Sequence, residues 1–139
     1  MRAVDKAIRE YLERHRPLGL VSAYLFGSEG RGTAHRDSDV DIGIVLDPRT
    51  VSGPAERARV MERLATELIA VTHRNEVDVV SLTDAPPELA AAVVTSGQRL
   101  NCPDPEGDHE FVRNALLRYG DIRPFLERMR RTKLLTLAR

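Results

Sequence analysis

Between positions 39 and 46 the chain reads Asp-Val-Asp-Ile-Gly-Ile-Val-Leu, and no other stretch limits the fold so tightly. Val40, Ile42, Ile44 and Leu46 alternate with Asp39, Asp41 and Gly43, the period-two pattern of a β-strand. One face of that strand must pack into an apolar core. The other carries two carboxylates two positions apart, which therefore project the same way. Like charges side by side repel unless a cation lies between them. A hard divalent ion such as Mg²⁺ suits that role, because it takes carboxylate oxygens and keeps water and phosphate as further ligands.

The flanking pattern is that of an α/β or α+β domain. Val4, Ile8 and Leu12 recur at helical spacing, and Pro17 and Gly19 end that helix. Leu20 to Phe26 reads as a buried strand, followed by a turn-rich segment from Gly27 to Asp37. Ser52-Gly53-Pro54 opens a long helix with Met61, Leu64, Ala65 and Leu68 on one face. Glu76 to Leu82 is expected to be a third strand. Asp84 is expected to cap a helix from Pro86 to about Ser96, which Gly97 stops. Gln98 to Asn101 reads as a short edge strand and Cys102 to Gly107 as a loop. Asp108 to Tyr119 is expected to be helical, Gly120 to interrupt it, and Ile122 to Ala138 to form a second helical stretch. The order predicts a small mixed sheet flanked by helices, with a helical C-terminal tail.

Size and charge narrow the classes. A chain of 139 residues is read as one domain, with residues 1–104 as its body and 105–139 as a helical extension of it. Roughly two-thirds of the unfolded surface can be buried at this length, so a core needs no disulfides. Cys102 is the sole cysteine, which fits a reducing compartment. Lys plus Arg and Asp plus Glu both number 21, so no global field draws the chain to nucleic acid or membrane. With no signal-peptide pattern and no apolar run near ~20 residues, it is read as cytoplasmic, soluble and without a membrane partner.

A second feature adds chemistry to the carboxylate pair. Gly27-Ser28 follows a strand, and the exposed backbone N–H groups of such a turn, together with a hydroxyl, form an anion site. A phosphate cradle beside metal-binding carboxylates suggests phosphoryl or nucleotidyl transfer. Asp78, between Val77 and Val79, offers the third carboxylate if its strand pairs beside the second. It would then serve the metal on the nucleophile side and help deprotonate an acceptor hydroxyl. Arg31 is read as a phosphate contact. Ser38 is weighed between ordering the start of the strand and touching substrate. His35 and His73 have no partner at metal-ligand spacing, and Tyr11 and Tyr24 are read as packing residues.

Gly27-Ser28, ten intervening residues and Asp39-x-Asp41 resemble the signature of the polymerase-β-type nucleotidyltransferase superfamily. Arg31-Gly32 and Ser38 fall where that superfamily carries Gly-Ser-x-x-Arg-Gly and Ser-Asp-x-Asp; Gly30 stands where alanine is more usual. The motifs cover about residues 20 to 82. The short length resembles the minimal nucleotidyltransferase (MNT) domain, MntA-type antitoxins of HEPN/MNT toxin–antitoxin systems. So, more weakly, do Ala85-Pro-Pro-Glu-Leu89 and Tyr119-Gly-Asp-Ile-Arg-Pro124. The resemblance implies the nucleotidyltransferase fold, with Gly27, Ser28, Arg31 and Ser38 at the nucleotide and Asp39, Asp41 and Asp78 as metal ligands and catalytic acids. It also implies ATP with Mg²⁺, and AMP transfer to a tyrosine of a partner HEPN toxin in a hetero-oligomer.

Two other functions compete. A small-molecule, aminoglycoside-type nucleotidyltransferase needs a second domain to hold its acceptor, for which the chain has little spare length. A non-catalytic antitoxin that only masks its partner would have no use for three intact aspartates. The tail carries eight basic residues from Val112 to Arg139 against Asp121 and Glu127. It lacks the interleaved aromatics of a nucleic-acid platform and reads as a solvated face or a docking surface for an acidic partner.

Overall fold

In the computed structural model, residues 2–27, 40–74 and 77–137 are described. Four of the proposed site residues, Ser28, Arg31, Ser38 and Asp39, lie outside them, as does His35.

The strand built on the 39–46 alternation is β2, Val40–Leu46. Val40, Ile42 and Ile44 are wholly buried and Leu46 nearly so, as the period-two pattern requires. Antiparallel to it runs β1, Leu20–Phe26. Parallel to it runs β3, Val77–Ser81. β4, Gln98–Asn101, pairs antiparallel with the far side of β1, giving the order β3-β2-β1-β4. A parallel pair needs a long crossover. The helix α2, Pro54–Thr72, supplies it, with α1, Ala3–Arg14, preceding the sheet.

Each face of the sheet has its own apolar cluster. Ile8 and Leu12 of α1 and Met61, Leu64 and Leu68 of α2 join β2's inward row on one face. Each fully buried side chain of this kind contributes about 1.5–3 kcal/mol. On the other face Val21, Tyr24, Val45 and Leu82 gather with Val93 of α3, Pro87–Ser96, and Phe111 of α4, Pro105–Leu137.

Four local expectations are corrected. Asp84 does not cap α3, whose N-cap is Pro86; its carboxylate is taken by Arg57, with which it forms two hydrogen bonds of 2.7 and 2.8 Å. A charge-assisted fork of that kind outcompetes a single cap bond. The third strand stops at Ser81, because Leu82–Asp84 turns as a short 3-10 helix that buries Leu82. The expected loop is shorter and the tail is one helix: α4 begins at Pro105 and runs through Gly120 and Pro124 to Leu137. A glycine in a helix interior costs about 1 kcal/mol and a proline about 3. Burial along the 3–4-spaced stripe Val112, Ala115, Tyr119, Ile122 and Leu126, with α4 packed on α3, outweighs both. Arg130 of α4 pairs with Glu88 of α3.

Among the described residues no helix is long and apolar enough to cross a membrane.

Candidate active site

The site is assembled at one end of the sheet, where β1 finishes and β2 and β3 begin. Phe26 is the register partner of Asp41 across the antiparallel β1–β2 ladder. Asp41 is the register partner of Asp78 across the parallel β2–β3 ladder. Lateral neighbours in a sheet share a face and lie about 4.8 Å apart at their backbones. The two aspartates therefore stand side by side, Asp41 half-buried and Asp78 exposed. Val40 and Ile42 beside Asp41, and Val77 beside Asp78, are buried on the opposite face and hold both strands in that register.

Gly27 closes the row. Its φ of +98° is a conformation that L side chains rarely adopt, and a Cβ there would overlap Asp41 Oδ2 and lie 2.8 Å from Asp41 Cγ. Glycine is thus required twice, by the backbone and by the carboxylate that occupies the space. Gly27, Asp41 and Asp78 are brought together as expected, while Ser28, Arg31, Ser38 and Asp39 lie outside the described residues. Among the described residues no group of three His, Cys, Asp or Glu side chains could hold a metal. Two hard oxygen donors in register on one face do suit Mg²⁺, whose remaining ligands can be water and phosphate.

Two clefts flank this row. One, of about 540 Å³, includes Phe26, Gly27, Val93 and Gln98 in its wall, with the Arg2–Asp5 ion pair at its rim. The other, of about 640 Å³, runs along β3 and includes Ala58, Met61, Asp78 and Val79. Leu89 of α3 contributes to both.

Two polar clamps were not foreseen. Arg57, on the apolar stripe of α2, donates to Asp84 and at 2.9 Å to the Val51 carbonyl, and the Ser81 hydroxyl donates to Asp84 at 2.6 Å. Arg57 and then Ser81 hold the Asp84 carboxyl below its ordinary range. This ties the start of α2 to the end of β3, the strand that carries Asp78. Asp108 of α4 is buried and accepts from the hydroxyls of Ser22 and Tyr24 at 2.6 and 2.7 Å and from Arg99 at 3.0 Å. Burial, reinforced by Asp108, pushes the Tyr24 phenol up. Both clamps had a signal in the sequence. Arg57 falls at the i−4 position from Met61, and Asp108 at i−7 from Ala115, each a charge on an apolar helix stripe.

Remaining candidates are structural. His73 ends α2 in the left-handed conformation, its N–H donating to the Ile69 carbonyl at 3.0 Å. Tyr11 stacks on His15, and burial together with a bond to Glu67 raises its phenol to about 12. Cys102 is half-buried, which pushes its thiol up.

Residues 6–106 match the family Polymerase beta, Nucleotidyltransferase. The chain is 42 % identical over 77 residues to the protein adenylyltransferase MntA of Shewanella oneidensis; that match covers 55 % of this chain, and the chain spans half of that relative's length. A solved toxin–antitoxin complex with AMP-PNP contains a similar chain, 26 % identical, with a TM-score of 0.66 over 97 % of this chain and 98 % of the other. A chain in the complex of the tri-AMPylated Shewanella oneidensis HEPN toxin with MNT antitoxin is 24 % identical, with a TM-score of 0.63 over 98 % and 97 %. That likeness is one of fold.

Proposed function

The chain belongs to the polymerase beta nucleotidyltransferase family, and from that premise we propose that it transfers AMP from ATP to a tyrosine hydroxyl of a partner HEPN toxin, neutralising it in the cytoplasm. The observation that carries this reading is the row Gly27, Asp41, Asp78, set between two clefts. The names of the similar proteins, an adenylyltransferase and a toxin–antitoxin complex with AMP-PNP, support the same reaction.

In this reading the nucleotide lies on the Gly27 side. By the sequence motif, Gly27 and Ser28 would offer backbone N–H groups to its phosphates, Arg31 would be a charged contact and Ser38 a further nucleotide-binding residue. Asp39, Asp41 and Asp78 would hold Mg²⁺, which neutralises phosphate charge and favours the ionised acceptor oxygen. The acceptor approaches from the Asp78 side. Asp78 draws the proton from the hydroxyl as its oxygen attacks the α-phosphorus. The new P–O bond forms as the bond to pyrophosphate breaks, and pyrophosphate leaves with its electron pair. The helical extension from residue 105 docks the partner, since Leu117, Phe125, Met129, Leu134 and Leu135 of α4 are exposed.

The test is incubation with labelled ATP, Mg²⁺ and the product of the adjacent gene. Label on a partner tyrosine is expected, and Asp78→Asn should bind the partner yet leave it unlabelled. The same exposed α4 residues favour a second reading, a masking module. It prevails if wild type suppresses the toxin without label and Asp39→Ala suppresses it equally well.

A further inference from the structure

The strand that carries Asp78 is the outermost of the sheet. β2 pairs with β3 on one side, and among the described residues no strand pairs with the other. In any strand the N–H and C=O groups of alternate residues point to each side, so this edge presents main-chain donors and acceptors that have no strand partner among the described residues. Exposed edges are commonly blunted with lysine or proline. β3, Val-Asp-Val-Val-Ser, has neither.

The edge also lies in a slot. The cleft of about 640 Å³ has Ala58, Met61 and Ala65 of α2 on one side of β3 and Ala85 and Leu89 on the other. Its walls are mainly apolar, and its charged residues, Glu62, Asp78 and Asp84, are all acidic. Nucleic acid is repelled by that sign of charge. A helix would fill the slot without satisfying the edge. An extended polypeptide does both, through main-chain bonds for affinity and alternate side chains for fit.

We propose that the outer edge of β3 is the acceptor-docking site, taking an extended segment of the partner protein as an added strand. The proposal rests on the nucleotidyl-transfer reading and supplies its acceptor geometry. The row Phe26–Asp41–Asp78 gains a fourth member. A residue paired in register with Asp78 must put its side chain on the face that Asp41 and Asp78 share. A tyrosine at that position presents its hydroxyl to the carboxylates, and a one-residue slip turns it to the opposite face. Register along this edge thereby selects which residue is modified.

Amide hydrogen exchange on the full chain, alone and with the product of the adjacent gene as the partner protein, tests the docking. At least tenfold slowing across Val77–Ser81 is expected in the complex. Ala58→Arg, at an exposed position on the slot wall, is expected to keep Mg²⁺-dependent ATP binding. It should raise the acceptor KM about tenfold, with kcat changed much less. Unchanged exchange in β3, or a wild-type acceptor KM in Ala58→Arg, overturns the proposal. So does slowing that appears with concentration in the chain alone, because the edge then pairs with a second copy. A wild-type chain that forms the complex and labels nothing defeats the transfer reading, a result separate from the exchange pattern.

Discussion

Asp41 and Asp78, far apart in sequence, are lateral partners in the parallel β2–β3 ladder and face the same side of the sheet. The crossover helix α2 makes that pairing possible, and the apolar residues beneath each aspartate fix its register. Two carboxylates held this way repel in the absence of a cation, so metal and nucleotide should bind together.

Isothermal titration with ATP should therefore show binding with Mg²⁺ or Mn²⁺ and little without. Asp78→Asn, at an exposed position, should change stability by no more than about 0.5 kcal/mol while transfer falls about 10²–10³-fold. Equal ATP affinity with and without metal, or an unfolded Asp78→Asn, would show the assignment to be wrong.

Gly27→Ala should damage catalysis more than folding. The new methyl would occupy the space of the Asp41 carboxylate and strain a backbone at φ +98°. A non-glycine residue in such a conformation costs about 1–3 kcal/mol. Thermal unfolding should register that modest loss, whereas transfer should drop far more because Asp41 is displaced. An alanine variant with wild-type kcat would sever the link between Gly27 and Asp41.

Acid should loosen the α2–β3 clamp. The Arg57 guanidinium, and after it the Ser81 hydroxyl, lower the Asp84 carboxyl below its ordinary 3.8. A depressed carboxyl stabilises the fold above its unfolded value and loses that contribution as pH falls through the folded one. The loss should appear below about pH 3.8 in wild type and be absent from Asp84→Asn. At neutral pH that variant should be less stable by about 2–3 kcal/mol. This is below the figure for a fully buried pair, since the Asp84 side chain is 28 % exposed. Chemical denaturation across pH checks both.

Gly120→Ala should stabilise the protein. Gly120 is exposed in the middle of α4, and a Cβ there meets nothing within 4 Å. Replacing an interior helical glycine is worth about 0.5–1 kcal/mol, seen as a raised thermal midpoint. A lowered midpoint would mean that α4 is broken at Gly120 in solution.

The sequence by itself determined what short-range periodicity can encode. The alternation from Val40 to Leu46 specified a strand with one dry face and placed Asp41 on the other. The bulky run before Gly27 marked β1, and the motif around Gly27-Ser28 marked the family. Tertiary structure decided everything that depended on a distant partner. Whether Asp78 stood beside Asp41 hung on β3 pairing with β2 in one register, which no local signal states. Asp84 reads as a cap only while Arg57 is out of sight; once α2 folds over β3, a two-pronged ionic contact is the stronger claim on that carboxylate. Gly120 reads as a break until α4 lies on α3 and burial along its stripe exceeds the cost of one glycine. Most local preferences are worth about 1 kcal/mol or less, an interior helical proline such as Pro124 about 3, and the contacts made on folding outweigh them where the two disagree.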